Sequence, residues 1–465
     1  MMKAKFENIG PIKKAELELG GLTIIAGQNN TGKTYLVYTL YGFLNFLREQ
    51  DRDFVYFLKY NEFPNAFYGR IKSIALQMRD TGSARLDIEE YKGINKNLVK
   101  SASSFFSSEL LAGVFSSPNG EFSNSKFNLE TNYDDELIIE SKFMFGRGGE
   151  QRLVIDSSLE DNTVIFRLKN PEGIRIPSNI VEQGIVALFF IKKNWPSPFI
   201  LSAERFGISL FYKELDFTKN RLVEELQKLP NEKYFDPFRF LQKESARYAK
   251  PIKDNIDFTR DLSRISKRRS LISEDMSKSI TKMMEGYYKE KNDEIRFISK
   301  RRGDNRFDIP LHLASSSARG VSDLYFYLKH VAEPGQILII DEPESHLSPT
   351  NQILMARLLV FCVNAGLKVL ITTHSDYLIK EINNLIMLNG EFEGKKDFLR
   401  KNRKKYTDED SLNPEQVRAY ICEDGTLKPC SVDRLGIDMP VFDNAIDEIN
   451  EISMELALQV KGDDS

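Results

Sequence analysis

The chain contains only three cysteines among 465 residues, Cys362, Cys422 and Cys430. Their spacing matches neither a disulfide framework nor a zinc-binding motif, which excludes a small cystine-stabilised domain and a zinc finger. No apolar run reaches the roughly 18 residues of a transmembrane helix, and no apolar segment follows the charged start MMKAKFENIG as it would in a signal peptide. We therefore expect a protein of the cytoplasm that does not enter a membrane.

The charge of the chain is close to balanced. There are 65 Lys and Arg against 68 Asp and Glu, for a formal net charge of −3. This balance excludes a polycation that coats nucleic acid, so any nucleic-acid contact must use a local basic patch. Hydrophobic residues make up 41% of the chain, with 32 Phe and 18 Tyr, which is enough for a sizeable core. The length predicts two to four domains.

A glycine-rich loop lies between the apolar run LTIIA (22–26) and a strongly apolar helical pattern over 33–47. Its glycines allow the backbone to wrap closely and to turn amides toward an anion at the helix N-terminus. The spacing G-x-x-x-x-G-K-T predicts a triphosphate site in which the lysine reaches the β and γ phosphates and the threonine hydroxyl binds Mg²⁺. The loop residues are Gly27, Gln28, Asn29, Asn30, Thr31, Gly32, Lys33 and Thr34.

A carboxylate pair follows the apolar run ILII (337–340), which is typical of a strand buried on both faces. The carboxyl ends of such strands are where α/β sheets place ligands. We expect Asp341 to hold Mg²⁺ through its water shell and Glu342 to orient and deprotonate the attacking water.

Two of the four histidines lie in the same region of the sequence. His374 follows the apolar run KVLIT (368–372), so we expect it at the same sheet edge as Asp341, within reach of a γ-phosphate. His346 lies in a turn before a predicted helix over 349–365, with Ser348 as its N-cap and Gly366 at its end. A structural and a functional role are equally compatible with the position of His346.

Three consecutive serines, Ser315, Ser316 and Ser317, precede another predicted helix. Their hydroxyls and the free amides of the helix N-terminus would form a second anion site. Plain helix capping is the alternative, and the position of Ser316, 25 residues before Asp341, favours the anion site.

These motifs resemble those of ABC-class P-loop ATPases of the overcoming-lysogenization-defect (OLD) and RecF-like branch. The resemblance rests on KFENIGPIKKAELEL, LTIIAGQNNTGKT, SSSARG, IIDEPESHLSP and VLITTHSDYL, over about residues 1–47 and 307–388. It implies ATP and Mg²⁺ as ligands, Glu342 and His374 as catalytic groups, and a homo-oligomer. It further implies that Ser316 and Ser317 act on the nucleotide of a second subunit and that Ser345 and His346 form a D-loop. The turn Ser202–Arg205 is a candidate for a nearby switch element.

The expected fold is therefore an α/β ABC-type ATPase head with an antiparallel β annex and an inserted helical subdomain. We place the first part of the head and the annex at 1–210, the helical insertion at 211–295 and the second part of the head at 296–390. Residues 391–465 should form a hairpin over 417–433, with Asp-Gly in its turn, and an amphipathic helix that serves either docking or the local core.

Several functions remain open from the sequence. The first is the ATPase subunit of an antiviral defence complex with a separately encoded nuclease or toxin, since no nuclease motif is evident after residue 388. The chain resembles the stand-alone ATPase subunits of PARIS-like or Septu-like systems in this respect. The second is a DNA-repair ATPase of the RecF or Rad50 kind, for which the basic clusters at 264–269, 300–302 and 395–405 would contact DNA. A transporter subunit ranks last because the serine motif is not LSGGQ, and a GTPase is disfavoured because no N-K-x-D motif is present.

Overall fold

The computed structural model describes residues 2–49, 57, 65–117, 120–131, 139–145, 152–169, 177–190, 195–210, 248–272, 275–291, 294–300, 307–440, 449–456 and 459. The chain divides into two compact units. Unit 1 comprises residues 1–9, 14–18 and 39–198, and unit 2 comprises residues 10–13, 19–38 and 199–465. Residues 211–247 of the predicted helical insertion lie outside the described residues, and the predicted domain boundaries stay a prediction.

Unit 1 combines helices with antiparallel strands. Strands β1 (Met2–Ile9) and β5 (Lys126–Thr131) pair antiparallel, with Phe6 opposite Phe127. A four-stranded antiparallel sheet has the order β4-β8-β7-β6. It contains β4 (Ser83–Asp87), β6 (Ser141–Phe145), β7 (Arg152–Glu160) and β8 (Thr163–Leu168). This sheet matches the antiparallel annex expected from the sequence.

Helices form more of unit 1 than the sequence pattern indicated. Helix α1 spans Lys33–Glu49, and its part from residue 39 onward belongs to unit 1. The other helices are α2 (Asn65–Thr81), α3 (Ile88–Phe105), α4 (Leu111–Val114) and α5 (Ser178–Phe189). Asp87 caps α3 by accepting a hydrogen bond from the amide of Glu89 at 2.8 Å, which satisfies a free donor of the first turn. Phenylalanines fill the core of this unit, with Phe43 4.9 Å from Phe127 and 5.3 Å from Phe106 between ring centroids.

Unit 2 is built on a mixed sheet whose strand order is β16-β15-β3-β14-β13-β9. Strand β3 (Leu22–Ala26) pairs in parallel with β14 (Lys368–Thr373) on one side and β15 (Val417–Glu423) on the other. Strand β13 (Ile337–Asp341) pairs in parallel with β14. Strand β9 (Pro198–Leu201) lies beside β13 and is the last strand of the sheet. Strand β16 (Thr426–Pro429) pairs antiparallel with β15 and makes the sheet mixed.

Helices and smaller sheets complete unit 2. The helices are α6 (Lys250–Arg260), α7 (Leu262–Ile265), α8 (Asp275–Met283), α9 (Ser316–His330), α10 (Pro349–Asn364), α11 (Asp376–Asn389) and α12 (Lys395–Asn402). The remaining strands are β2 (Ile12–Leu19), which contains residues of both units, β10 (Gly286–Lys291), β11 (Glu294–Ser299), β12 (Asp308–Pro310), β17 (Val432–Asp433) and β18 (Gly436–Ile437). The chain is thus an α/β protein, as predicted, and its main sheet is mixed.

The predicted C-terminal hairpin is present, and it forms part of the main sheet of unit 2. Asp424 and Gly425 form the turn between β15 and β16 with positive φ angles of 52° and 76°. Because β15 lies directly beside β3, the hairpin belongs to the sheet that carries the glycine-rich loop. Residues 449–456 are helical, whereas residues 441–448, where the predicted helix begins, lie outside the described residues.

No helix among the described residues is long and apolar enough to cross a membrane.

Candidate nucleotide site

The glycine-rich loop connects β3 to α1, and two of its glycines are required by geometry. Gly27 has φ +146°, and a Cβ there would lie 2.4 Å from the carbonyl oxygen of Cys422 on β15. Gly32 has φ +102°, and a Cβ there would lie 2.7 Å from the side chain of Ile12. A side chain at either position would displace backbone or core atoms. The loop leads into the N-terminus of α1, where the first amides of a helix have no intrahelical partner and suit an anion.

Lys33 is buried at the start of α1, inside the loop that it follows. Its ammonium donates to the carbonyl oxygens of Gly27 at 3.0 Å and Gln28 at 2.7 Å. Burial lowers the pKa of Lys33, because desolvation disfavours the charged form. Among the described residues, the ammonium of Lys33 is hydrogen-bonded to carbonyl oxygens, and a phosphate in the loop would provide a negative partner in direct contact.

The two residues predicted to bind Mg²⁺ are in contact although 307 positions separate them. The hydroxyl of Thr34 donates to Asp341 Oδ2 at 3.0 Å, and the hydroxyl of Thr372 donates to the other carboxylate oxygen. Asp341 is buried at the end of β13, and this burial raises the pKa of its carboxyl. Mg²⁺ in nucleotide sites takes oxygen ligands from one or two protein side chains together with phosphates. The hydroxyl and carboxylate of Thr34 and Asp341 fit that requirement.

Glu342 and His374 also lie together. His374 Nε2 is 3.5 Å from Glu342 Oε1, and the hydroxyl of Ser345 donates to Glu342 Oε2 at 2.9 Å. Hydrogen bonding to His374 is the main cause that lowers the pKa of Glu342 to about 2. Glu342 is therefore an ionised acceptor at neutral pH, which can orient a water molecule. Its φ of +53° is uncommon for a residue other than glycine and marks a constrained backbone at the site.

Arg205 connects three elements around this carboxylate pair, and the sequence had indicated only its turn. Its buried guanidinium donates to the carbonyl oxygens of Asp341 at 2.7 Å and Glu342 at 2.7 Å. It also donates to the carbonyls of Gly320 on α9 and Ser202 after β9, each at 3.0 Å. A planar group with five donors suits four carbonyls arranged in this way.

Glu344 is a second residue that the sequence analysis missed. Its Oε1 accepts from the hydroxyl of Thr373 at 2.9 Å and from the amide of His374 at 2.5 Å. The carboxylate thus fixes the backbone that presents the histidine side chain. The signal in the sequence is the pair of acidic residues on either side of Pro343, Glu342 and Glu344.

The serine cluster has divided roles. Ser315 is the N-cap of α9, and its hydroxyl oxygen accepts a hydrogen bond from the amide of Ala318 at 3.2 Å. One of the three serines therefore has the capping role that was the alternative to an anion site. Ser317 donates to the carbonyl oxygen of His346 at 2.7 Å, which joins the serine cluster to the predicted D-loop. Within the described part of the chain, no hydrogen bond joins Ser316 or Ser317 to the glycine-rich loop.

His346 lies beside α9 rather than at the carboxylate pair. It is exposed, has φ +62°, and its ring packs against Phe206 with centroids 4.3 Å apart. Ser348 caps α10 and Gly366 follows it with φ +89°, both as predicted.

Several solved structures are similar to this chain. The chain is similar to the SMC head domain from Thermotoga maritima, with 11% identity and a TM-score of 0.32 over 93% of this chain and 98% of that chain. It is similar to the Smc head domain with an extended coiled coil bound to the C-terminal domain of ScpA, from Pyrococcus furiosus, with 13% identity, a TM-score of 0.32, and 97% and 100% covered. The chain is also similar to the recombination mediator protein RecF with ATPrS, with 12% identity and a TM-score of 0.29, over 92% of this chain and 98% of that chain.

No match was found among curated proteins. The model of the AAA ATPase domain family, AAA_15, matches residues 1–379, which is more than half of the chain. Because this range contains the glycine-rich loop, the carboxylate pair and His374, the chain belongs to the AAA ATPase domain family.

Proposed function

We propose that this chain binds and hydrolyses Mg²⁺-ATP at the site formed by the glycine-rich loop, Asp341, Glu342 and His374. The observation that carries the proposal is the contact between Thr34 and Asp341, because it brings the phosphate loop and the carboxylate pair to one sheet edge. Lys33 and the loop amides would bind the β and γ phosphates. Mg²⁺ held by Thr34 and Asp341 would neutralise the charge that develops on the phosphates.

The residues of the chain divide the hydrolytic task among them. Glu342 would hold the attacking water as a hydrogen-bond acceptor, since its pKa of about 2 keeps it ionised. His374 would donate to the γ-phosphate from the end of β14. Arg205 and Glu344 would keep the backbones of these two residues in place.

We further propose that ATP turnover controls a separately encoded nuclease or toxin in an antiviral defence complex. This placement rests on the resemblance of the motifs to stand-alone ATPase subunits of PARIS-like or Septu-like systems. Co-expression with the neighbouring gene during phage challenge tests it. Protection that is lost in a Lys33→Ala variant supports the role, and unchanged plaque numbers with both wild-type genes contradict it.

A DNA-repair role of the RecF or Rad50 kind is the second candidate. It is favoured by α12, which has no buried residue and carries Lys395, Lys396, Arg400 and Lys401. Stimulation of ATP hydrolysis by duplex DNA would support this role, with loss of the stimulation at increasing salt.

Hydrolysis itself is tested by two substitutions with different expected outcomes. Lys33→Ala should abolish ATP binding in isothermal titration, because the phosphates lose their cation. Glu342→Gln should still bind ATP but release phosphate about 100-fold more slowly, because the water loses its acceptor. Glu333→Gln, at an exposed position, is the matched control and should change neither measurement. Undiminished turnover in Glu342→Gln would contradict the role of Glu342.

A further inference from the structure

A large cavity lies on unit 2 outside the nucleotide site. It has a volume of about 780 Å³ and is bounded by α10, α11 and the segment 392–406, which includes α12. We call it the basic groove. Its lining is mainly apolar, with Ile353, Leu354, Met387, Leu388 and Phe392 among the side chains, and Lys404 and Lys405 also line it.

The floor of the basic groove is a connected network. Arg357 donates from Nε to Glu381 Oε1 at 2.6 Å and from Nη1 to the carbonyl oxygen of Lys405 at 3.0 Å. The hydroxyl of Tyr406 donates to Glu381 Oε2 at 3.1 Å, and the Arg357 guanidinium lies 4.5 Å from the centre of the Tyr406 ring. The segment that forms the outer wall is therefore anchored to α10 and α11 by charge-assisted bonds, of which the one from Tyr406 to Glu381 is partly buried.

The wall above this floor exposes aromatic rings and positive charge. Phe392 is 45% exposed and Phe398 is 41% exposed, although their rings lie 6.4 Å apart and form a common apolar surface. Lys404 and Lys405, which line the groove, are both exposed. The segment 395–405 contains seven basic residues and one acidic residue. An exposed apolar surface with a charged, mainly basic rim is typical of a protein interaction site.

A segment of the opposite character follows later in the same chain. Residues 449–456 are helical and all exposed, and Ile449, Ile452 and Leu456 are 65%, 50% and 56% exposed. Their spacing of three and four residues places them on one helix face. Glu451 and Glu455 also lie four apart, and the sequence 441–456 contains five acidic residues and no basic one. We call 449–456 the acidic tail helix.

We propose that the basic groove binds the acidic tail helix of a second copy of this chain. The apolar face of the helix would cover Phe392 and Phe398, while Glu451 and Glu455 would meet Lys404 and Lys405 at the rim. A second copy is the proposed donor of the helix because the tail helix of the same chain is exposed along residues 449–456 and does not fill the groove. Two such contacts, each copy supplying one groove and one helix, would form a symmetric pair.

Charge reversal tests the proposal in the full chain without nucleotide, so that its failure is separate from failure of the ATPase proposal. The tail variant is Glu451→Lys/Glu455→Lys, and the groove variant is Lys404→Glu/Lys405→Glu. Each alone should weaken self-association at least tenfold in sedimentation velocity, because like charges then face each other. The wild-type association should weaken as salt rises.

Mixing the two variants distinguishes contact between copies from contact within one chain. In an equimolar mixture, the reversed helix of one variant faces the reversed groove of the other, and the two unaltered surfaces also match. Association should therefore return toward the wild-type level. A contact within one chain would stay mismatched in every molecule of the mixture, so a mixture without recovery overturns the proposal.

A matched control and a competing ligand complete the test. Lys289→Glu/Lys291→Glu reverses two charges on β10, outside the groove lining, and should leave association unchanged. A wild-type chain that sediments as a monomer at all concentrations overturns the proposal. So does a groove variant that loses only single-stranded DNA binding while both variants associate normally, since the groove would then serve nucleic acid.

Discussion

At the scale of single residues, the carboxylate pair is positioned by hydrogen bonds from side chains that are distant in the sequence. The carboxylate of Asp341 is held by two hydroxyls, from Thr34 and Thr372, whereas its carbonyl is held by Arg205. The same guanidinium bonds the carbonyl of Glu342, whose φ of +53° would not persist without support. We therefore regard Arg205 as a positioning residue for the carboxylate pair.

Arg205→Lys should separate this role from simple stability. Lysine keeps the charge but has one nitrogen, which cannot reach four carbonyls in different directions. We expect kcat for ATP to fall at least tenfold while KM changes less than twofold, because the phosphate loop is untouched. Steady-state kinetics together with thermal unfolding measure both effects.

The control for this substitution is Arg296→Lys, which removes a surface guanidinium that bonds Asp308 and Glu294. Its kcat should stay at the wild-type value. If Arg205→Lys lowers the melting temperature but leaves kcat unchanged, Arg205 has only a structural role.

At the scale of elements, the sheet of unit 2 uses a strand from near the C-terminal end of the sequence. β15 pairs with β3 along five residue pairs, from Val417 opposite Leu22 to Ile421 opposite Ala26. The approach is so close at Gly27 that a Cβ would meet the Cys422 carbonyl, and the thiol of Cys422 lies 3.2 Å from the Thr31 carbonyl oxygen. The shape of the phosphate loop thus depends on β15.

Two truncations test this dependence. A chain that ends at residue 410 loses β15 and β16, so β3 becomes an edge strand with unpaired backbone groups. We expect it to be insoluble or to lack cooperative unfolding. A chain that ends at residue 440 keeps the whole described sheet and should unfold cooperatively, as measured by circular dichroism during heating. Equal behaviour of the two truncations would contradict a structural role for β15.

At the scale of the whole molecule, the serine cluster suggests that the nucleotide site is completed by another subunit. Ser317 contacts the His346 carbonyl, and no described hydrogen bond links Ser316 or Ser317 to the glycine-rich loop of the same chain. We propose that these serines face the nucleotide of a partner subunit, as the family resemblance implies. The amides at the start of α9 would then serve as a second anion site.

Complementation between inactive variants tests completion in trans. Lys33→Ala protein mixed with a Ser316→Arg/Ser317→Arg variant should recover part of the ATPase activity, because one hybrid site has both an intact loop and an intact serine cluster. A phosphate-release assay measures the recovery, which should approach one quarter of the wild-type rate on random mixing.

The matched control is Lys33→Ala mixed with Glu342→Gln. Both substitutions lie on the same side of each site, so no hybrid site is intact and no recovery is expected. Recovery in this control, or none in the test mixture when both variants still associate, would contradict completion in trans.

The glycine-rich loop, the carboxylate pair and His374 could be predicted from the sequence because each is encoded within a few residues. A strand pattern followed by Gly27 through Thr34 defines a strand, a turn and a helix start by local backbone preference alone. An apolar strand that ends in Asp341 and Glu342 likewise indicates that these carboxylates lie at the carboxyl end of the sheet, where ligands bind. The α/β class and the hairpin at Asp424 and Gly425 follow from the same short-range rules.

The tertiary structure alone decided which distant residues meet these motifs. Arg205 bonds a carbonyl 136 positions away, and β15 lies beside a strand almost 400 positions earlier. Such contacts depend on strand order, which no local propensity encodes, because pairing free energy arises from packing and hydrogen bonds after the chain has folded back. The groove beside α12 has the same origin, since Arg357, Glu381 and Tyr406 meet only when three elements pack.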